Sequence, residues 1–238
     1  MVFFTPRTLS FLRALERNNR REWFLERREQ YNLEVRAPMV ALIERLAAEF
    51  DGFAPDLVAS PRVSIYRVYR DTRFSPDKTP LKTHVAAHFP HRRLPKNECA
   101  GLYVEIAPRH VWFGGGMYMP STSQLQLVRE HLATRHRRLR RIIDSPAFRR
   151  AVGSLEGERL SRVPRGFPRD HPAADLLRYR QFLAGREEQA AFAHSPAFFR
   201  SLVTVFRAIA PLVAFLNEPL VAARAAGVLG HDWLERET

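Results

Sequence analysis

Cysteine is nearly missing from this chain of 238 residues, since Cys99 is the only one. A lone cysteine excludes a disulfide within the chain and a zinc site built from cysteines. The sequence offers no histidine or asparagine that can be assigned to it as a catalytic partner. We therefore interpret Cys99 as a structural residue at a junction between a loop and a strand.

Long apolar runs are also scarce. No run of apolar residues approaches the roughly 20 that cross a bilayer. The N-terminal residues MVFFTPRTLSFLRAL have neither a basic leader nor a small-residue cleavage site, which argues against a signal peptide. We therefore expect a cytoplasmic protein without a membrane segment.

Lysine is scarce in a strongly basic chain. The formal net charge is +13, yet only Lys78, Lys82 and Lys96 stand among the 38 basic residues. A basic protein attracts nucleic acid, anionic membranes and acidic ligands, so the charge alone leaves the partner open. Arginine excess also follows from GC-rich coding and needs no functional explanation. Two of the three lysines nevertheless lie in one short segment, and lysine shifts its pKa far more readily than arginine.

The periodicity of apolar residues predicts helices at both ends of the chain. The predicted helices cover residues 8–17, 21–50, 121–143, 173–183 and 196–216, with a short last one over 219–228. Pro38 should kink or divide the second of them. Residues 155–172, with three prolines and two glycines, read as an ordered loop or an arm.

Four short β-rich stretches lie between these helices. They cover residues 63–69, 82–89, 101–107 and 110–113. Apolar and polar residues alternate in the second and third, which is typical of an antiparallel sheet with helices on one face. Short connections favour a meander over parallel crossovers. The sequence thus predicts a single α+β domain over residues 1–238, with an antiparallel four-stranded meander packed against N-terminal and C-terminal helices.

The most unusual stretch is residues 67–84, RVYRDTRFSPDKTPLKTH, which we call the charged loop. Its five cations outnumber its two carboxylates, and buried cations without partners are costly. An anion such as phosphate or carboxylate would neutralise them. The candidate ligand-binding residues here are Arg67, Arg70, Asp71, Arg73 and Asp77. The alternative is a loop held together by its own ion pairs, without a ligand, in which Phe74 supplies an apolar anchor.

The polar face of the predicted sheet supplies a second group of candidates. Lys82, His84, Tyr103, Glu105 and Trp112 occupy compatible alternate positions on neighbouring strands. If those strands pair, the side chains converge beside the charged loop and their pKa values can be tuned by their neighbours. The candidate catalytic residues are Lys78, Lys82, His84 and Glu105, and Tyr103 and Trp112 are candidates for ligand contact. The alternative is an ordinary solvent-facing side of a sheet.

Three consecutive glycines, Gly114, Gly115 and Gly116, follow the last predicted strand. They permit positive φ and close approach of a ligand to backbone N–H groups, although a tight turn explains them as well. They match neither a P-loop nor a dinucleotide fingerprint. We expect no metal site, because His84, His88 and His91 lack accompanying carboxylates.

A basic helix offers the alternative of nucleic-acid binding. Six arginines could follow a phosphate backbone, namely Arg137, Arg138, Arg140, Arg141, Arg149 and Arg150. The stretch has no recognisable nucleic-acid-reading motif, and a solvated basic face explains it as well.

The charged loop resembles the signature of an uncharacterised, mainly bacterial family, the domain of unknown function 2461. That signature is R-x-x-R-D-x-R-F followed by D/N-K and, three residues on, a tyrosine. It matches Arg67, Arg70, Asp71, Arg73, Phe74, Asp77 and Lys78. The similarity extends to Asn18-Asn19 with Trp23-Phe24, to Gly114–Gly116 with Pro120, and to Arg165-Gly166 with Asp170-His171-Pro172. Leu81 stands where the family usually has the tyrosine.

This resemblance implies no known activity, catalytic residue or cofactor. The residues themselves favour a protein that binds an anionic small molecule in a pocket lined by Arg, Lys and Asp, with acid–base chemistry as a possible activity. The alternatives are a nucleic-acid-binding or processing protein and a scaffold domain without chemistry.

Overall fold

A computed structural model describes residues 2–73 and 75–228. Nine α-helices and four strands are found in these ranges. The strands are β1 (Val85–Phe89), β2 (Gly101–Ile106), β3 (His110–Met117) and β4 (Phe182–Gln189). The helices are α1 (Pro6–Arg17), α2 (Arg21–Glu26), α3 (Arg28–Tyr31), α4 (Ala37–Phe50), α5 (Pro61–Ser64), α6 (Thr122–Ile143), α7 (Pro146–Val152), α8 (Ala174–Leu177) and α9 (Phe198–Ala225).

The four strands form one antiparallel sheet in the order β1-β2-β3-β4, flanked in sequence by helices at both ends. This confirms the predicted class and arrangement. The apolar face of the sheet packs against α9, whose buried side includes Leu202, Phe206 and Leu216. The buried side chains of the sheet, the N-terminal helices and α9 form one cluster. Because α9 packs on the apolar face, the polar face of the sheet is available to other segments of the chain.

The first predicted strand, residues 63–69, is wrong. Ser60 in an extended conformation followed by Pro61 starts the short helix α5, as proline at the first helical position favours. The chain then pairs with the outer edge of β1 at an isolated bridge between Ile65 and Ala87. β1 itself begins at Val85, three residues later than predicted.

The sheet takes its fourth strand from β4, which the sequence analysis did not predict, and the first two residues of β4 lie in the helix predicted over 173–183. Only α8 is helical in that range. The polar residues Arg186, Glu187 and Glu188 have good helix propensity, but pairing with β3 over the whole strand outweighs it. On the opposite edge of β4, Glu156 and Leu183 exchange two backbone hydrogen bonds.

The three glycines lie inside β3, so the expectation of a tight turn is wrong. Gly114, Gly115 and Gly116 pair with β2 and β4 on both sides. Gly116 has a φ of +132°, and a Cβ there would lie 1.9 Å from the carbonyl oxygen of Phe182. The glycines therefore allow close strand packing at the end of the sheet.

The prolines interrupt the helices less than the sequence predicts. Pro38 lies in the first turn of α4, directly after a π-helical segment, Asn32–Arg36, which accommodates the missing N–H. Helix α9 continues through Pro211 and Pro219 to Ala225, so the predicted end at 216 and the separate helix over 219–228 are wrong. Packing of α9 on the core outweighs the cost of both prolines.

α9 is the one helix among the described residues that is long and apolar enough to cross a membrane. The sequence analysis had found no apolar run approaching the length that crosses a bilayer. Half of its most apolar window is buried inside the protein, and the core helix of a soluble protein has the same length and composition.

Candidate functional site

The base of the charged loop is fixed by backbone and asparagine contacts. Arg70 N donates to Pro80 O over 2.9 Å, and Lys82 N donates to Val68 O over 2.8 Å. Asn19, at the turn after α1, donates to Leu81 O over 2.9 Å and accepts from Leu81 N over 3.0 Å. Leu81 is fully buried. The two ends of the loop are thereby held in place beside the sheet.

Within the loop the carboxylates pair with its own arginines. Arg73 binds Asp71 through two side-chain hydrogen bonds of 3.0 and 2.8 Å, which lower the pKa of Asp71 to about 2. Arg70 pairs with Asp77 and also donates to Thr79 Oγ1 over 3.0 Å. Hydrogen bonds from Thr79, and then Arg70, lower the pKa of Asp77. The carboxylates are thus engaged inside the loop.

The remaining loop candidates, Arg67 and Lys78, are on the surface. Lys78 is exposed and donates to Thr72 O over 2.9 Å, and Arg67 is exposed. Phe74, the expected apolar anchor, lies outside the described residues. None of the described candidates from Arg67 to Lys78 lines the cavity described next. The structure therefore does not place Arg67, Arg70, Asp71, Arg73, Asp77 and Lys78 at that cavity.

A cavity of about 710 Å³ lies on the polar face of the sheet. It is lined by six of the predicted residues: Lys82, His84, Tyr103, Trp112, Gly115 and Gly116. Glu105 does not line the cavity but accepts a hydrogen bond from Tyr103, which does. Gly114 is the partner of Tyr103 in the pairing of β2 with β3. The convergence of these side chains follows from the register, in which Tyr103 is opposite His88 and Gly114, and Glu105 is opposite Trp112.

Two lysines lie against one phenol ring at this cavity. The Nζ atoms of Lys82 and Lys96 lie 4.6 and 4.2 Å from the ring centre of Tyr66, within cation–π range. Among the described residues, neither ammonium forms an ion pair with a carboxylate. Glu156, an exposed residue, is the carboxylate that lines this cavity. The cavity therefore presents two cations whose charge is not neutralised by direct contact.

Burial acts on both ammonium groups. It lowers the pKa of Lys82, and the nearby Arg67 and Arg70 guanidinium groups lower it further. Burial and then Lys82 lower the pKa of Lys96 to about 8. Lys96 also donates to Val63 O over 2.6 Å and to Ser64 O over 3.2 Å, and these contacts favour its charged form. Lys96 is therefore a cation at neutral pH.

Glu105 is the centre of a hydrogen-bonded group. Tyr103 donates its hydroxyl to Glu105 Oε2 over 2.6 Å, and His110 Nε2 lies 3.1 Å from Glu105 Oε1. His84 Nε2 lies 3.6 Å from Glu105 Oε2. Burial, followed by Glu105, raises the pKa of Tyr103, so the phenol stays protonated. Burial lowers the pKa of His84 although Glu105 opposes that shift, so His84 is a neutral imidazole held close to a carboxylate.

An aromatic row runs along the floor of the cavity. Tyr66 and Tyr103 have ring centres 6.3 Å apart, and Tyr103 and Trp112 have ring centres 5.8 Å apart. The indole of Trp112 lies over the backbone of β4, because a Cβ on Gly185 would lie 2.2 Å from its Cζ2 atom. The absence of a side chain at Gly185 is what lets the indole lie there.

His88 and Cys99 complete the cavity wall. Burial lowers the pKa of His88 to about 4, and its Nδ1 atom is buried without a hydrogen-bond partner among the described residues. Cys99 lies just before β2, as the sequence predicted, and burial raises its pKa to about 11. Its Sγ accepts from His91 N over 3.4 Å. Both side chains are therefore uncharged at neutral pH.

Sequence analysis missed Tyr66, His88 and Lys96 as members of the cavity. Lys96 carried a usable signal, because it is one of only three lysines. His88, in β1, is four residues after His84, and an even spacing in an extended chain places both on the same face, so this pattern was visible in the sequence. Tyr66 gave no such signal, because it lies in a segment predicted as a strand that the structure folds differently.

The basic helix α6 uses part of its charge inside the molecule. Arg138 binds Glu218 through hydrogen bonds of 2.8 and 2.6 Å, and Arg140 binds Asp175 over 2.7 Å. Arg149, in α7, binds Asp144 over 2.6 Å. These pairs leave fewer guanidinium groups for a phosphate backbone. Nucleic-acid binding by this surface stays a prediction.

No group of three metal-binding side chains is assembled within the part of the chain that the structure describes.

The comparison with known families gives a clear result, since residues 7–215 match the model of the family described as "Conserved hypothetical protein (DUF2461)". The chain belongs to this family, which confirms the family predicted from the sequence. No curated protein and no solved structure matches the chain.

Proposed function

We propose that this protein binds an anionic small molecule, bearing a phosphate or a carboxylate, in the cavity on the polar face of the sheet. Lys82 and Lys96 supply the positive charge. Arg67 and Arg70 add to the positive potential around Lys82 without lining the cavity. The volume of about 710 Å³ fits a small-molecule site.

One observation carries this proposal. Two half-buried ammonium groups contact the same tyrosine ring, and among the described residues neither is ion-paired to a carboxylate. Partly buried cations are stabilised when an anion meets them, and charge-assisted hydrogen bonds to phosphate or carboxylate are about twice as strong as neutral ones. By contrast, the charged loop already neutralises its own carboxylates with Arg70 and Arg73. We therefore assign the proposed anion site to the cavity rather than to the charged loop beside it.

Acid–base chemistry on a bound ligand would depend on His84. Its imidazole lines the cavity, and Glu105 Oε2 lies 3.6 Å from its Nε2, close enough for the carboxylate to stabilise a charged imidazole electrostatically. His84 would accept a proton from the ligand, and Glu105 would stabilise the resulting cation. Lys78 plays no part in this proposal, because its ammonium group donates a hydrogen bond to Thr72 O in the charged loop, outside the cavity.

The three lysines provide a matched experiment. Binding of inorganic phosphate and of acetate is measured by isothermal titration calorimetry on the full chain and on three variants: Lys82→Met, Lys96→Met and Lys78→Met. We expect each of the first two changes to weaken binding of one of these anions by about tenfold or more, as the loss of a charge-assisted contact of roughly 1.5–3 kcal/mol implies. Lys78→Met should bind like the parent chain.

Arg70→Ala separates the cavity from the charged loop. Because Arg70 pairs with Asp77 and Thr79, we expect binding to fall by less in this variant than in Lys82→Met. Equal binding by the parent, Lys82→Met and Lys96→Met chains would contradict the proposal. A loss confined to Arg70→Ala and Lys78→Met would place the site in the charged loop instead.

A further inference from the structure

The cavity joins two kinds of surface that face one ligand. At one end, Lys82 and Lys96 contact Tyr66. From Tyr66 the aromatic row continues to Tyr103 and Trp112, with ring centres separated by 6.3 and then 5.8 Å. A simple inorganic anion would use only the cationic end. The aromatic end remains for an uncharged part of the same molecule.

The position of Trp112 is fixed before a ligand arrives. Its indole lies over Gly185 of β4, and a Cβ on Gly114 would lie 2.8 Å from its Cη2 atom. Tyr103 is held at its other end by the hydrogen bond to Glu105. Rings that are already immobilised lose little conformational entropy when a ligand packs on them, so they contribute more of their contact energy to binding.

The rim beside the aromatic row exposes more apolar surface. Tyr118 and Met119 line the cavity and are 69% and 70% exposed. Met119 has a positive φ of 51°, which is uncommon for a residue other than glycine. Exposed apolar side chains and local backbone strain gather at binding sites more than elsewhere. This rim lies where a ring resting on Trp112 and Tyr103 would meet further apolar contacts.

We propose that the ligand is a ring-bearing anion: a sugar phosphate, a nucleotide or an aromatic carboxylate whose ring packs on Tyr103 and Trp112 while its acidic group meets Lys82 and Lys96. The inference rests on the proposed anion-binding function and adds the ring to it. Sugar rings and planar rings both pack on aromatic side chains, so the shared chemistry is a ring joined to one acidic group.

The test compares each anion with its ring-bearing counterpart. Inorganic phosphate is compared with glucose 6-phosphate and with adenosine 5′-monophosphate, and acetate is compared with benzoate, all by calorimetry on the full chain. We expect at least one ring-bearing anion to bind about tenfold or more tightly than its ringless counterpart. A gain for glucose 6-phosphate points to a sugar ring, and a gain for the nucleotide or benzoate points to a planar ring.

Two variants examine the aromatic row itself. Trp112→Ala removes the indole, and Gly185→Ala displaces it while keeping it in the chain. Both should reduce the gain from the ring by about fivefold or more and leave binding of the ringless anion within twofold of the parent. Gly52→Ala is the matched control, because a Cβ at Gly52 makes only an ordinary contact of 3.5 Å. Circular dichroism and thermal melting verify that each variant is folded.

The outcomes separate the two proposals. If the ringless anions bind through Lys82 and Lys96 but no ring improves affinity, the proposal of a ring-bearing ligand is wrong and the proposal of an anion site is retained. A gain that survives both Trp112→Ala and Gly185→Ala also overturns the ring assignment. If none of the five probes binds, both the anion site and the ring assignment fall.

Discussion

Asn217 and Ala100, which are 117 residues apart in sequence, are joined by two hydrogen bonds of 2.9 Å each. The amide of Asn217, on α9, accepts from the backbone N–H of Ala100 and donates to its carbonyl. Asn19 holds Leu81 in the same way. One asparagine thus fixes the chain beside Cys99 and Gly101, and the other fixes it beside Lys82. Each of these contacts positions one wall of the cavity.

Replacing Asn217 with alanine should therefore destabilise the protein. Asn217 is 1% exposed, so the change leaves a buried N–H and a buried carbonyl of Ala100 without partners. We expect a loss of about 2–5 kcal/mol in the free energy of unfolding, measured by urea denaturation. Asn32→Ala, at an exposed position, should change it by less than about 0.5 kcal/mol. Similar losses in the two variants would show that the Asn217 bonds contribute little.

Two glycines with positive φ should respond differently to alanine. At Gly116 the new Cβ would lie 1.9 Å from Phe182 O, whereas at Gly153 no atom lies within 4 Å. Gly153→Ala therefore carries only the backbone cost, about 1–2 kcal/mol. Gly116→Ala adds a clash between paired strands and should lose more than about 3 kcal/mol or fail to fold. Equal losses in thermal or urea unfolding would mean that β3 and β4 separate easily at this point.

Affinity for sulfate should fall as the pH rises through about 8. Burial and Lys82 lower the pKa of Lys96 to about 8, so its charge is largely present at pH 7 and largely lost at pH 9. Sulfate keeps its own charge over this range. If the bound state needs the charged ammonium, affinity falls roughly tenfold between these pH values.

The neighbours of Lys96 refine that pH profile. The pKa of Lys82 is also lowered, by burial and then by Arg67 and Arg70. The pKa values of His84 and His88 are lowered below their ordinary range, so both stay neutral above pH 7 and do not contribute. Calorimetric titrations with sulfate from pH 6.5 to 9.5 give the profile. An unchanged profile in Lys96→Met would remove Lys96 from the site.

Cys99 should resist thiol reagents in the folded protein. Burial raises its pKa to about 11, so at pH 8 the thiolate fraction is about 100-fold smaller than that of an ordinary cysteine. We expect labelling by a chromogenic disulfide at pH 8 to be at least about 100-fold slower in the native chain than in urea. Because Cys99 lines the cavity, a bound anion should slow it further. Native labelling within tenfold of the unfolded rate would contradict the burial described above.

The sequence predicted the polar face well, because alternation along a strand depends on local chemistry. Tyr103, Glu105 and Trp112 lie where their alternate positions indicated, and His84 reaches the same cavity from the residue before β1. Lys96 and Tyr66 were missed because they come from irregular segments that tertiary contacts fold over the sheet. Neither periodicity nor turn chemistry specifies such a position.

Two other differences have physical causes of the same kind. The excess of positive charge in the charged loop led us to predict a ligand site there, which stays a prediction; the structure pairs Asp71 with Arg73 and Asp77 with Arg70, and local sequence does not specify which charges pair. β4 was missed because its second half is polar, and its strand conformation comes from pairing with β3 rather than from its own sequence. Long-range pairing of this sort is invisible to a local pattern.

The isolated bridges at the two sides of the sheet bear on how the protein behaves when concentrated. Ile65 covers part of β1, and Glu156 covers part of β4. The remaining part of β4 carries Arg186, Glu187 and Glu188, whose charges oppose contact with a second sheet. Neither outer strand offers a long, flat and uncharged row of backbone groups, so stacking of molecules edge to edge into fibres is disfavoured.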